Sequence, residues 1–123
     1  MQNLRYAGKT LFIEKLSINN IVKKNKTPFY LYSENQIINN YLKFTKTFKK
    51  TRPIVCFAAK SNSNVAILKI LGKLGSGADV VSGGELLKAL KAGIKANKIV
   101  FSGVGKTEDE LKMAINKKIL LIN

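Results

Sequence analysis

The chain has 123 residues, enough for one small domain, and its apolar content of 46% is ordinary for a globular protein. No stretch approaches the roughly 20 apolar residues that span a bilayer, and the opening MQNLRYAGKTLFIEKL lacks the apolar run and small-residue cleavage site of a secretory signal. We therefore expect a cytoplasmic protein with no membrane partner. Cys56 is the single cysteine and there is no histidine, which excludes an intrachain disulfide and a Cys/His zinc centre, so no metal is expected.

A net charge of +15 raises the question of a nucleic-acid partner. The basic residues are almost all lysine, with only Arg5 and Arg52 able to make bidentate contacts. They are dispersed, with modest clusters at Lys23, Lys24 and Lys26 and at Lys46, Lys49 and Lys50, and no aromatic residues alternate with them to stack bases. Solvated lysine faces are the expected outcome and no nucleic-acid partner is expected; a basic anion-binding module is the remote alternative.

In chain order, Arg5–Leu16 come first, and Leu11-Phe12-Ile13 reads as a strand of a separate sheet. From Pro28 onward a period appears: short apolar run, polar turn, amphipathic helix. Phe29–Tyr32 (FYLY) reads as the first strand. Ser33 to Gln36 has the spacing of a helix capping box. The helix behind it would carry Ile37, Tyr41, Phe44 and Phe48 on one face. Thr51-Arg52-Pro53 ends it. Ile54–Ala59 is the second strand, and Asn62 or Ser63 would cap a helix with Val65, Leu68 and Leu71 or Ile70 inward. Ala78–Val81 is the third strand, and Ser82 to Glu85 is a second capping box opening a helix with Leu86, Leu87 and Leu90. Ile99–Phe101 is the fourth strand, Thr107 to Glu110 a third capping box before Leu111 and Ile115, and Ile119–Ile122 a fifth strand.

Strand–helix–strand units of this length imply parallel strands with right-handed crossovers. The fold class expected is α/β, with about five strands of either an open doubly wound sheet or part of a barrel. No G-x-G-x-x-G follows the first strand, which disfavours a dinucleotide site. Leu120–Asn123 has the look of an interior strand with nothing to cover it, so a truncated chain is expected.

Lys60 is the residue best placed for chemistry. It stands at the carboxyl end of the second strand, the end where α/β folds bind ligands. Partial burial there would disfavour the ammonium form and leave an amine able to attack a carbonyl. Cys56, within the strand, reads as packing.

Four stretches carry a family resemblance: TPFYLYS at Thr27–Ser33, FAAKSNSN at Phe57–Asn64, GADVVSGGEL at Gly77–Leu86 and IVFSGVGKTEDEL at Ile99–Leu111. The chain resembles the amino-terminal part of the diaminopimelate decarboxylases, pyridoxal-phosphate enzymes built on an alanine-racemase-like (β/α)8 barrel. The SGGE and FSGVGKT stretches favour this branch over the ornithine and arginine branches, which stay as alternatives beside a racemase-like relative. The resemblance implies that residues 27–123 are the first part of a barrel domain that binds pyridoxal 5'-phosphate, and that residues 1–26 hold a strand of a second, β-rich domain. It implies that Lys60, within Ala58-Ala59-Lys60-Ser61-Asn62, is the Schiff-base lysine. Asp79 near it would steady the protonated imine, and Ser82 and Lys106 are possible accessories, with Ser102, Gly103 and Gly105 on the same face. The implied reaction converts meso-2,6-diaminopimelate to L-lysine and carbon dioxide in a homodimer. The ring-stacking histidine, the phosphate loop and the substrate-binding residues come later in the family. The chain alone is therefore expected to be inactive and poorly stable, with inward-facing Val55, Phe57 and Val80 lacking an opposite wall.

Overall fold

The structure is a computed structural model that describes residues 3–123. The chain divides into two compact units, Met1–Asn40 and Tyr41–Asn123.

In the first unit a ribbon forms around Gly8. Strand β1 (Leu4–Ala7) pairs antiparallel with β2 (Thr10–Ile13). Gly8 supplies the positive φ, 59°, that a two-residue hairpin turn needs at its first position. A two-residue strand, β3 (Leu16–Ser17), completes the antiparallel sheet, so Leu11–Ile13 does belong to a sheet of its own. Ser17 then caps α1 (Ile18–Lys24) by accepting from the Asn20 N–H. Glu14, held at φ 52° in the turn before β3, is an acceptor at the start of α2 (Glu34–Thr47). Its carboxylate takes hydrogen bonds from the Ser33 hydroxyl, the Asn35 N–H and the Asn35 side chain, which hold its pKa below the usual carboxylate range, the Ser33 bond most of all.

Phe29–Tyr32 is not a strand; it belongs to neither sheet. Aromatic content favours a strand only where a ladder partner and a half-buried surface are available. This segment is exposed throughout, Tyr30 to 91%. The parallel sheet therefore has four strands, not five.

Those four are β4 (Cys56–Ala58), β5 (Gly77–Val80), β6 (Ile99–Phe101) and β7 (Leu121–Ile122), all parallel and in chain order. Between them run α3 (Val65–Lys73), α4 (Gly83–Lys91) and α5 (Glu108–Asn116). The register fixes which side chains share a face. Phe57, Ala78 and Ile99 lie in one row, and Val80, Phe101 and Ile122 in the next row on the same face. That face packs on Leu68, Leu86, Ala89 and Ala114 of the helices. Val80 is fully buried there. The expectation that Phe57 and Val80 face an empty barrel interior is thus inverted. The alternate row, Ala58, Asp79, Val100 and Leu121, occupies the other face, and none of its members is buried.

The helices start where capping predicts, with one correction. Asn64, not Asn62 or Ser63, caps α3, accepting from Ala66 N–H at 2.9 Å. Ile67 joins Leu68 and Leu71 in the core. Leu87 and Ile115 are 50% and 65% exposed, because they fall off the stripes set by Leu86 and Ala89 and by Ala114. Phe44 of α2 and Phe48, just past its end, meet with ring centres 5.0 Å apart and planes tilted by 47°, but remain about half exposed.

Candidate active site

β4 ends at Ala58 and turns through one 3-10 turn, Ala59–Ser61. The residues around Lys60 are all engaged. Ala59 is fully buried. The Ser61 hydroxyl donates to the Ala58 carbonyl at 2.7 Å, and the Asn62 N–H donates to the Ala59 carbonyl at 3.1 Å. Asn62 Oδ1 accepts the Asn64 N–H at 3.0 Å, and Asn64 then caps α3. This chain of short-range bonds fixes the backbone and presents Lys60 outward. Lys60 is exposed, not partly buried as its position suggested. Among the described residues the ion pair is between Lys112 and Glu108, so no carboxylate holds the Lys60 ammonium.

Asp79 sits in β5, in register between Ala58 and Val100 on the face away from the helices. Ser102, the first residue past β6, donates its hydroxyl to Asp79 Oδ1 at 2.5 Å. Its N–H donates to the Val80 carbonyl at 2.8 Å, extending the ladder one residue. One Asp79 oxygen is thereby oriented by a neighbouring loop.

Ser82 is the N-cap of α4. It accepts from the Glu85 N–H at 3.2 Å, while Glu85 Oε2 reaches back to the Val81 N–H at 2.9 Å. Its hydroxyl has a helix-capping role in this arrangement. Lys106 donates to the carbonyls of Gly103 and Asn123 and lies 5.5 Å from the centre of the Phe101 ring. It ties the loop after β6 to the end of β7. Gly103 lets that loop fold back: its φ is 94°, and a Cβ there would meet the Val81 Cβ at 3.3 Å.

Beneath this rim, Cys56 packs against the backbone. Its Sγ is 3.5 Å from the Lys98 carbonyl. Burial, and then the Asp79 carboxylate, push its thiol pKa up, partly offset by Lys98. A thiol so held is a packing group, not a nucleophile. Gly77 makes the close approach possible, since a Cβ there would lie 2.2 Å from the Lys98 oxygen and 2.7 Å from Cys56 Sγ.

Lys60, Ser82 and Lys106 thus follow neighbouring parallel strands on one rim, and Asp79 is the next-to-last residue of β5. Asp79 and Ser102 are brought into direct contact; Ser82 and Lys106 are directed to backbone groups. Sequence patterning missed the Ser102–Asp79 bond, because nothing local links residues 23 apart.

A rim of parallel strand ends with a lysine after one strand and a carboxylate on the next is an arrangement suited to binding a carbonyl cofactor. Residues 34–123 match the family described as the pyridoxal-dependent decarboxylase, pyridoxal binding domain. The chain belongs to that family. It is 42% identical over all 123 residues to the diaminopimelate decarboxylase of Pseudomonas fluorescens, covering 30% of it. It is 45% identical over 120 residues to that of Aquifex aeolicus, covering 98% of this chain and 28% of the relative. Among solved structures, the diaminopimelate decarboxylase of M. jannaschii in complex with L-lysine aligns with a TM-score of 0.94 at 38% identity, over 98% of this chain and 29% of that one. The chain thus spans less than a third of the length of these relatives.

Proposed function

We propose that these 123 residues act as the amino-terminal part of a pyridoxal-phosphate-dependent decarboxylase that converts meso-2,6-diaminopimelate to L-lysine and carbon dioxide. The supporting observation is Lys60, outward at the end of β4, in a chain 42% identical along its whole length to a diaminopimelate decarboxylase. In this reading residues 27–123 begin a (β/α)8 barrel, residues 1–26 contribute to a second β-rich domain, and the working enzyme is a cytoplasmic homodimer.

The residues present fit the cofactor in one respect that can be tested: an exposed primary amine with no ion-pair partner among the described residues is free to reach an aldehyde. Pyridoxal phosphate supplies the electron sink that accepts the charge left when carbon dioxide departs. Lys60 would hold the cofactor aldehyde through its Nζ, exposed after the end of β4. Asp79, with one oxygen fixed by Ser102, offers its other oxygen to a positive charge at the rim. Lys106 holds the loop after β6 in place through the Gly103 and Asn123 carbonyls and acts on the site only through that loop.

The test uses the enzyme that contains this chain. Borohydride reduction in the presence of cofactor is expected to label Lys60, and Lys60→Ala is expected to remove the label, the visible absorbance of bound cofactor and nearly all carbon dioxide release from diaminopimelate. A Lys60→Ala enzyme with parental turnover rejects the assignment. Turnover of ornithine without turnover of diaminopimelate moves the chain to the ornithine branch.

A further inference from the structure

The loop leaving β5 and the loop leaving β6 are joined by one carboxylate. Glu110, in the first turn of α5, completes a capping box with Thr107: Oε2 accepts the Thr107 N–H at 3.0 Å, and the Glu110 N–H donates to Thr107 Oγ1 at 3.3 Å. That box is a local device and engages one carboxylate oxygen. The other, Oε1, crosses to the neighbouring helix and accepts the Gly83 N–H at 2.6 Å, 27 residues away in the chain. Gly83 is the first residue of α4 and is buried. Its N–H is one of the helix-start donors that has no partner within its own helix.

The fit is mutual. A Cβ on Gly83 would meet Glu110 Cγ at 3.0 Å and Oε1 at 3.2 Å, so the missing side chain is what admits the carboxylate. The two amides hold the Glu110 pKa below the usual carboxylate range, Thr107 more than Gly83. The helix starts joined in this way lie just beyond Asp79 and just beyond the loop opened by Ser102. The Ser102–Asp79 bond, at 2.5 Å, ties the start of the loop after β6 to β5 itself, two residues before the loop that leads to Gly83.

We propose that Glu110 is a positioning residue of the rim: by bridging the first amides at the starts of α4 and α5 it fixes the spacing of the two loops and so holds Ser102 against Asp79. The proposal rests on the reading of this rim as the cofactor site, and its test separates the two.

Glu110→Gln keeps the volume of the side chain but has one acceptor oxygen in place of two, so one of the two amides loses its partner. In the enzyme containing this chain, without cofactor, amide hydrogen exchange is expected to accelerate in both loops, by about tenfold or more at the amide that loses a charged acceptor. Gly83→Ala crowds the carboxylate from the other side and is expected to reproduce the two-loop pattern, with the double variant adding little. Glu108→Gln, which touches only the exposed pair with Lys112 at 2.7 Å, is expected to leave Gly83 exchange unchanged. With cofactor and diaminopimelate, Glu110→Gln is expected to lower turnover, and Ser102→Ala added to it to lower turnover no further. Faster exchange confined to Thr107–Glu110, with Gly83 unchanged in both variants, overturns the bridge. Fully additive losses from Glu110→Gln and Ser102→Ala overturn the link to Asp79. Should the parent enzyme not decarboxylate diaminopimelate, the exchange measurement still decides the bridge, and only the functional reading falls.

Discussion

At the scale of single residues, the rim depends on side chains that are small or absent as much as on those that react. Gly77 lets β5 run close to the Lys98 carbonyl and Cys56. Gly77→Ala would drive a methyl to 2.2 Å from a backbone oxygen, a contact only a strand shift relieves. We expect it to destabilise the enzyme by about 2–3 kcal/mol, in the range of overpacked cores, and to impair Asp79 two residues on; a denaturant midpoint equal to the parent's would count against this account. Glu110 and Glu14 make a second prediction. Both have pKa values lowered in the folded chain by accepted hydrogen bonds. Their stabilising effect is therefore fully present above the ordinary carboxylate pKa and is lost as pH falls through the lowered, folded value. The acid limb of the stability profile should be shallower in Glu110→Gln than in the parent; parallel profiles would show that the carboxylate is not stabilised by folding. Lys60 was legible from sequence because a run of small and apolar residues ends there against polar turn residues. The Glu110–Gly83 bond was not, because the capping box already accounted for Glu110 locally.

At the scale of elements, starts were more legible than faces. Ser33, Ser82 and Thr107 each cap the helix expected of them, since a cap is a contact across three residues that the sequence displays directly. The α3 start was misplaced by one or two residues because Asn62, Ser63 and Asn64 are all capable caps. The structure divides the work between Asn62, which braces the turn, and Asn64, which caps the helix. Asn64→Ala should cost about 1 kcal/mol and fray the start of α3, seen as faster exchange of the Ala66 amide. The same loss from Asn62→Ala alone, with Asn64→Ala silent, would reverse the assignment. Faces failed where tertiary partners decide. Phe29–Tyr32 has the composition of a strand but no ladder, and the parallel sheet faces its helices with Val80 and Phe101, a choice that alternation alone leaves open.

At the scale of the whole molecule, the parallel sheet has a covered face and an uncovered one. Among the described residues, thirteen apolar ones form the buried core, including Leu68, Leu86, Ile99 and Phe101. Fully burying one such side chain stabilises by about 1.5–3 kcal/mol, so the helix-covered side has cohesion of its own. The opposite row of Ala58, Asp79, Val100 and Leu121 has no buried member, and Leu121 is 53% exposed. Leu42 and Phe44 of α2, and Phe48 just beyond it, are also about half exposed. Among the described strands, β4 and β7 each pair on one side only, so each offers a free ladder edge. Apolar surface beside unpaired strand edges favours association over a soluble monomer. The 123-residue chain, expressed by itself, should therefore bind a hydrophobic dye, sediment as concentration-dependent assemblies, and release no carbon dioxide from diaminopimelate with added pyridoxal phosphate. Replacing Leu121 and Phe48 by polar residues should reduce both dye binding and assembly while leaving the helix-covered core intact by circular dichroism. A monomer that melts in one sharp transition without binding dye would show that the uncovered face is no liability, and measurable turnover would show that the rim alone is enough for the chemistry.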